Sequence, residues 1–457
     1  MIDQDNPTRT STFESGAQRR HPVDLLVLLL LVVGFFLGPV KLLGISWISY
    51  ISADGLAFAI LLVLFAGRLA VRRPVFAATP LSLSLLTLAV FCLLELANPE
   101  APFIRSVLGL RSWVLYLGFF FVGFYTLRSI EQLQRIYAVL LVLGLLTAAY
   151  GIYQWQAGPE SFAGWSEYYG QYARLAWAAQ SGSVFRAFST FVAPGTFGGN
   201  MALLMLLAFG VVASPRVRLH WRLLAGGAFV VMGIGIAASG SRGPVAHLML
   251  AALVGIGFVP GIGRRISVGV IASLLAGIAV VLVAVLIGSV AGERFSTIFD
   301  PQAFFWKWFG PLSYGLQIAR DHPLGMGLGY TAGIPQFLRT QAFHDLPAIN
   351  LDSGYGSAAA ELGLAGLVIF MFFAFKVGIE GFRTWRTLAP SLLRDLLLGP
   401  ALIASTYPVV SVIFQPQAAL PSSIYIWLLI GMLMKAPMLQ RAPDADKLLR
   451  TTVHPGQ

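Results

Sequence analysis

The sequence predicts an all-α polytopic membrane protein of about twelve transmembrane helices, on three observations. First, 57% of the 457 residues are hydrophobic, only 11% are charged, and the mean hydropathy is +0.77; a soluble domain is about 25% charged. Second, apolar runs of hydrocarbon length recur along the chain, and in lipid only a helix or a closed barrel satisfies its own backbone. Third, the positive charges alternate with these runs in the manner of topology signals.

In order, the runs place spans at 23–43, 47–67, 76–97, 113–127, 136–156, 195–213, 223–238, 245–262, 266–290, 357–377, 396–413 and 424–440. They form one transmembrane domain, 23–440, between a polar, disordered tail at 1–22 and a second tail at 441–457. The stretch 23–43 follows Arg19 and Arg20, is long for a signal-peptide core and lacks an Ala-x-Ala site after it, so it reads as a span. The single cysteine, Cys92, lies inside an apolar run and excludes an intrachain disulfide or a Cys-based metal site.

With the N-terminus inside, 21 of the 31 Lys and Arg fall in inner segments. That bias puts both termini in the cytoplasm and accounts for the net charge of +11 without nucleic acid. Topology does not require the remaining arginines on the outer side. Two long outer loops carry many of them, roughly 157–194 and 292–356, the second expected to be partly helical. The first is rich in aromatics, among them Trp165 and Tyr169. These serve equally as an interfacial belt or as flat faces for sugar rings or a lipid chain.

No Walker loop, dinucleotide fingerprint or His-Glu-x-x-His motif is present, and the Asp-x-Asp triplets at 3–5 and 444–446 lie in the tails. A substrate would therefore arrive already activated, for example on a lipid. Arg186 sits just before a Pro194-Gly195 helix start, where free N–H groups and the helix dipole favour an anion; a lipid headgroup or a loop acid is the other reading. Ser239-Gly240-Ser241-Arg242-Gly243-Pro244 makes a tight turn between two spans and holds Arg242 near the membrane surface, where a charge requires a partner. His247, one turn on, reads as a packing residue. Within 292–356, Arg294, Arg320 and Arg339 are further cations, and His322 and His344 can titrate near neutral pH. Asp352 reads both as the N-cap of a helix starting near Gly356 and as a carboxylate that orients or deprotonates a hydroxyl. Glu361 follows about two turns into that helix, with Gly363 and Gly366 allowing close packing.

Taken together, "RAFSTFVAPGTFGGN" (186–200), Ser241-Arg242-Gly243, "RFSTIFD" (294–300), "ARDHPLGMGLG" (319–329) and "DSGYGSAAAELGLAGLVIF" (352–370) resemble, in order and spacing, the O-antigen ligase/polymerase superfamily (Wzy/WaaL type) over roughly residues 185–380. The resemblance implies transfer of glycan from an undecaprenyl-diphosphate carrier to an acceptor hydroxyl at the periplasmic face of a bacterial inner membrane, with no metal or nucleotide cofactor. It implies that Arg186 and Arg242, helped by Arg320, hold the diphosphate. Asp352 or His344 would assist the acceptor, and Trp165, Tyr169 and Tyr355 would contact glycan or lipid. Where the ligases carry His-Asn, this chain has Asp352-Ser353, which favours a repeat-unit polymerase of O-antigen, capsule or exopolysaccharide synthesis, with a chain-length regulator as candidate partner. The alternatives are a ligase acting on lipid A-core or another acceptor and, from another class, a flippase for the lipid-linked glycan.

Overall fold

The computed structural model describes residues 22–42, 46–164, 185–191, 193–257, 300–331, 351–415 and 419–441. Among these the secondary structure is helical, with no strand. The helices are α1 (Pro22–Phe35), α2 (Leu37–Leu42), α3 (Ser46–Ala70), α4 (Ser82–Leu94), α5 (Phe103–Leu110), α6 (Phe119–Thr126), α7 (Ile130–Ala157), α8 (Glu160–Ala163), α9 (Pro194–Ala213), α10 (Leu219–Ser239), α11 (Arg242–Gly257), α12 (Pro301–Asp321), α13 (Gly354–Thr387), α14 (Leu392–Leu396), α15 (Leu398–Ile413) and α16 (Ser422–Arg441).

Eight helical stretches among the described residues are long and apolar enough to cross a membrane, and shorter apolar helices occupy Val23–Phe35, Ser82–Ala97 and Arg242–Gly255. The chain is thus an all-α, membrane-embedded protein. The expected span at 266–290 lies outside the described residues.

Two expectations about spans need correction. The first run is not one helix: it breaks at Phe36, and the Gly38 N–H of α2 donates to the Thr190 carbonyl at 3.0 Å. A Cβ on Gly38 would overlap that carbonyl, so the close approach requires glycine. The fourth span begins at Phe103 rather than 113 and runs to Thr126 through a π-helical turn at Arg111–Leu115. Its two arginines do not end it, because neither faces lipid unaided. Arg111 pairs with Asp54 of α3 at 2.6 Å, and Arg105 is buried.

The core is layered around α9 and α16, which are apolar all round and buried along most of their length. Glycines set the closest contacts. Gly123 of α6 lies against the Leu428 carbonyl and Gly431 of α16 against the Phe120 carbonyl, leaving no room for a Cβ at either. Exposed apolar residues fall instead on outward stripes. On α13, Leu364, Val368, Met371, Phe372, Phe375 and Ile379 point away from the bundle, while Gly366, Phe370, Phe373, Ala374 and Val377 point into it.

Arginines collect at one end of the bundle. There Arg216 pairs with Asp395 at 2.9 Å and Arg394 stacks on Trp385 at 4.3 Å. At the other end meet the 185–191 segment, the starts of α9, α11 and α13, the turn after Asp321, and Phe414.

Candidate functional site

Arg186 is positioned by the backbone on both sides of it. The Ala187 N–H donates to the Ala238 carbonyl at 3.0 Å, fastening the segment to the end of α10. Two residues later Ser189 adopts a left-handed φ of +53°, which a residue with a side chain rarely holds. Gln154 of α7 compensates: its Oε1 accepts from the Ser189 N–H at 2.7 Å, and its Nε2 donates to the Ser189 carbonyl at 3.3 Å. Phe162, Phe185 and Phe188 pack edge-on or tilted around the same loop.

So held, Arg186 reaches the turn between α10 and α11. Its Nε donates to the Ser239 carbonyl and its Nη2 to Ser241 Oγ, each at 3.0 Å. Gly240, at φ +56°, ends α10, and the Arg186 side chain lies along it. Arg242 is the next residue and opens α11. The two arginines expected to act together are therefore brought to one turn, both half-buried. His247, a turn further on, is buried with Nε2 3.0 Å from Thr406 Oγ1, as a packing histidine should be.

Phe414 links this cluster to the start of α13. Its ring lies 3.5 Å from a Cβ built on Gly199 of α9, and its carbonyl accepts from the Gly354 N–H at 3.0 Å. The N-cap of α13 is Ser353 and not Asp352, and the helix starts at Gly354 rather than near Gly356. The Ser353 hydroxyl accepts from the Gly356 N–H at 3.0 Å, whereas Asp352 is exposed one residue earlier. Tyr355 is buried and donates its hydroxyl to the Pro408 carbonyl at 2.7 Å, so its contacts here are with the protein. Arg320 is exposed on the last turn of α12, whose Ile318 packs with Leu351, Ala360 and Tyr330 near the same helix start. Trp165, Tyr169, His344, Arg294 and Arg339 lie outside the described residues.

Sequence reasoning named Glu361 but missed the set of residues around it. This fully buried carboxylate receives the Trp113 indole N–H at 2.7 Å, and the Thr331 backbone N–H and hydroxyl at 2.6 Å each. Arg105, 1% exposed, supplies opposite charge nearby, and its guanidinium carbon stands 4.8 Å from the centre of the Tyr330 ring. Burial, then Tyr314, push the Tyr330 hydroxyl above its ordinary range, with Arg105 opposing, so the phenol is neutral. Among the described residues none of the three Arg105 nitrogens has a hydrogen-bond partner, a demand that ordered water can meet. The signal for this set was Arg105 inside an apolar stretch, 103–126, whose one other charge is Arg111.

The Pro323–Tyr330 turn closes the arrangement. Gly325, Gly327 and Gly329 all have φ near +80°. Met326 N–H donates to the Ala360 carbonyl at 2.8 Å, and Leu364 N–H donates to the Pro323 carbonyl at 3.2 Å. Between those two anchors Gly363 leaves the helical region at φ +66°, so α13 opens where the turn docks. Asn98 adds bonds to the Leu324 and Gly325 carbonyls at 3.1 and 3.2 Å and to Glu95 at 2.8 Å. No protein-family model matches this chain, and no curated protein aligns with it significantly.

Proposed function

We propose that the chain polymerises lipid-linked oligosaccharide repeat units, transferring glycan from undecaprenyl diphosphate to an acceptor sugar hydroxyl at the outer face of a bacterial inner membrane. The observation that carries this reading is the meeting of Arg186 with the Arg242 turn, at the same end of the bundle as the α13 start. Two guanidiniums half-buried at a membrane surface suit a diphosphate, which takes charge-assisted and bidentate hydrogen bonds. In this reading the spans number twelve, both termini are cytoplasmic, and the end bearing Arg186 faces the periplasm.

The chemistry is a displacement at the anomeric carbon. The acceptor oxygen forms a bond to that carbon, the bond to the diphosphate oxygen breaks, and the carrier departs with both phosphates and the electron pair. The hydroxyl proton passes to a base or to water. A diphosphate leaves without a general acid, so the protein's contribution is stabilising negative charge on the leaving oxygens. Asp352, exposed at the rim, is the base candidate, and inversion at the anomeric carbon is expected for direct attack.

The test is purified protein in liposomes with cognate undecaprenyl-diphosphate oligosaccharide, products being resolved by size. A ladder of lengths supports the proposal. A single product that requires an added lipid acceptor indicates a ligase instead, and movement of donor across the bilayer without product indicates a flippase.

A further inference from the structure

Helix α3 ends at Ala70, and Val71-Arg72-Arg73-Pro74 follows it at the arginine-rich end of the bundle. The Arg72 N–H donates to the Leu69 carbonyl and the Arg73 N–H to the Arg68 carbonyl, each at 2.9 Å, the paired bonds of a Schellman motif. That motif places a left-handed residue just past the cap, most often glycine. Here the residue is Arg72, at φ +50°. One helix end therefore carries three arginines, Arg68, Arg72 and Arg73.

Arg68 is held in place without being neutralised. Its guanidinium carbon lies 3.5 Å from the centre of the Tyr125 ring, and its Nε donates to the Pro74 carbonyl at 2.7 Å. Lys435 of α16 stands close enough for the charge of Arg68 to act on it, with its Nζ 5.1 Å from the centre of the Phe124 ring. Phe124 and Tyr125 are neighbours at the end of α6, their centroids 5.4 Å apart, so the two cations rest on adjoining rings. Lys435 Nζ has only the Met438 sulfur near it, at 3.9 Å. Elsewhere at this end Arg216 pairs with Asp395 and Arg383 with Glu380. Among the described residues, none of Arg68, Arg72, Arg73 and Lys435 pairs with a carboxylate. A ring face steadies a cation but leaves its N–H donors open, and like charges gathered at the edge of a membrane call for an anion.

We infer that Arg68 and Lys435, supported by Arg72 and Arg73, bind the phosphate of an anionic phospholipid. The position selects a lipid over a free phosphate. The apolar stretch of α3 long enough to span runs from Ser52 to Ala70, so Arg68 lies within one turn of its end, at headgroup height. Leu69, 63% exposed, and Val71 and Phe76, also exposed, offer apolar surface beside the cations for acyl chains. Clustered Lys and Arg at the end of a span are the pattern that recognises anionic headgroups. A zwitterionic headgroup would bring a cation of its own to the same place and gain less. The site stands at the opposite end of the bundle from Arg186 and does not rest on the glycan-transfer reading.

Native mass spectrometry of the detergent-solubilised full chain tests this, with phosphatidylglycerol, phosphatidylcholine of the same acyl chains, and glycerol 1-phosphate as probes. Phosphatidylglycerol should bind more tightly than either of the others. Arg68→Gln and Lys435→Gln should each weaken its binding by about fivefold, the contribution of one cation at an anionic membrane surface. Arg383→Gln removes the same charge at the same end from a residue already paired with Glu380 at 3.4 Å, and should leave binding unchanged. Equal binding of the two lipids would overturn the inference, as would equal phosphatidylglycerol affinity in all three variants. Glycerol 1-phosphate bound as tightly as the lipid would also overturn it, since the acyl chains would then contribute nothing.

Discussion

Glu361 illustrates how a single carboxylate inside an apolar bundle acquires enough partners to be tolerated. Three donors from two elements reach it, and Arg105 balances its charge. Glu361→Ala leaves the Trp113 indole and both Thr331 donors buried without their acceptor and is expected to cost about 3 kcal/mol or more. Trp113→Phe removes one donor and should cost about 1–3 kcal/mol. Unfolding in detergent should therefore rank wild type above Trp113→Phe above Glu361→Ala, and an Ala variant as stable as wild type would contradict the account. Glu361 itself was legible as a carboxylate near the top of a span. Its partners were not, because Trp113 is 248 positions away and no local pattern ties the two. Arg105 was hidden for a related reason: a charge in an apolar run reads as the end of a span until the structure supplies what surrounds it.

Among the elements, the start and the break of α13 decide where the site residues stand. Ser353 is the cap, so Ser353→Ala should lower stability by about 1 kcal/mol while Asp352→Ala leaves the helix start intact. Backbone amide exchange at Gly356 distinguishes the two, rising only in the first variant. Adjacent Asp and Ser are both good caps, which is why sequence alone did not separate them. At Gly363 the left-handed φ and the Pro323 carbonyl, 2.1 Å from a built Cβ, both oppose a side chain. Gly363→Ala should unseat the Pro323–Tyr330 turn, seen as faster exchange at the Met326 and Thr331 amides, which bond to Ala360 and Glu361. Unchanged exchange would mean the break is not what docks the turn. In the sequence Gly363 was readable as a close-packing glycine, but that it would open a membrane helix to receive the turn was not.

At the scale of the whole molecule, hydropathy placed most helices because a backbone in lipid must satisfy itself within each segment. The arginine pattern likewise anticipated a bundle with one arginine-rich end. What required coordinates was the convergence at the other end, where Arg186 meets the Arg242 turn and Phe414 joins that turn's neighbourhood to the α13 start. The central claim is that this end holds a lipid diphosphate. Equilibrium binding of undecaprenyl diphosphate and of uncharged undecaprenol to the detergent-solubilised protein tests it most directly, comparing wild type with Arg186→Gln and Arg242→Gln. A hydrogen bond to a charged group contributes about 1.5–3 kcal/mol, so each substitution should weaken diphosphate binding by about tenfold or more and leave undecaprenol binding unchanged. Diphosphate affinity equal in all three proteins would contradict the account.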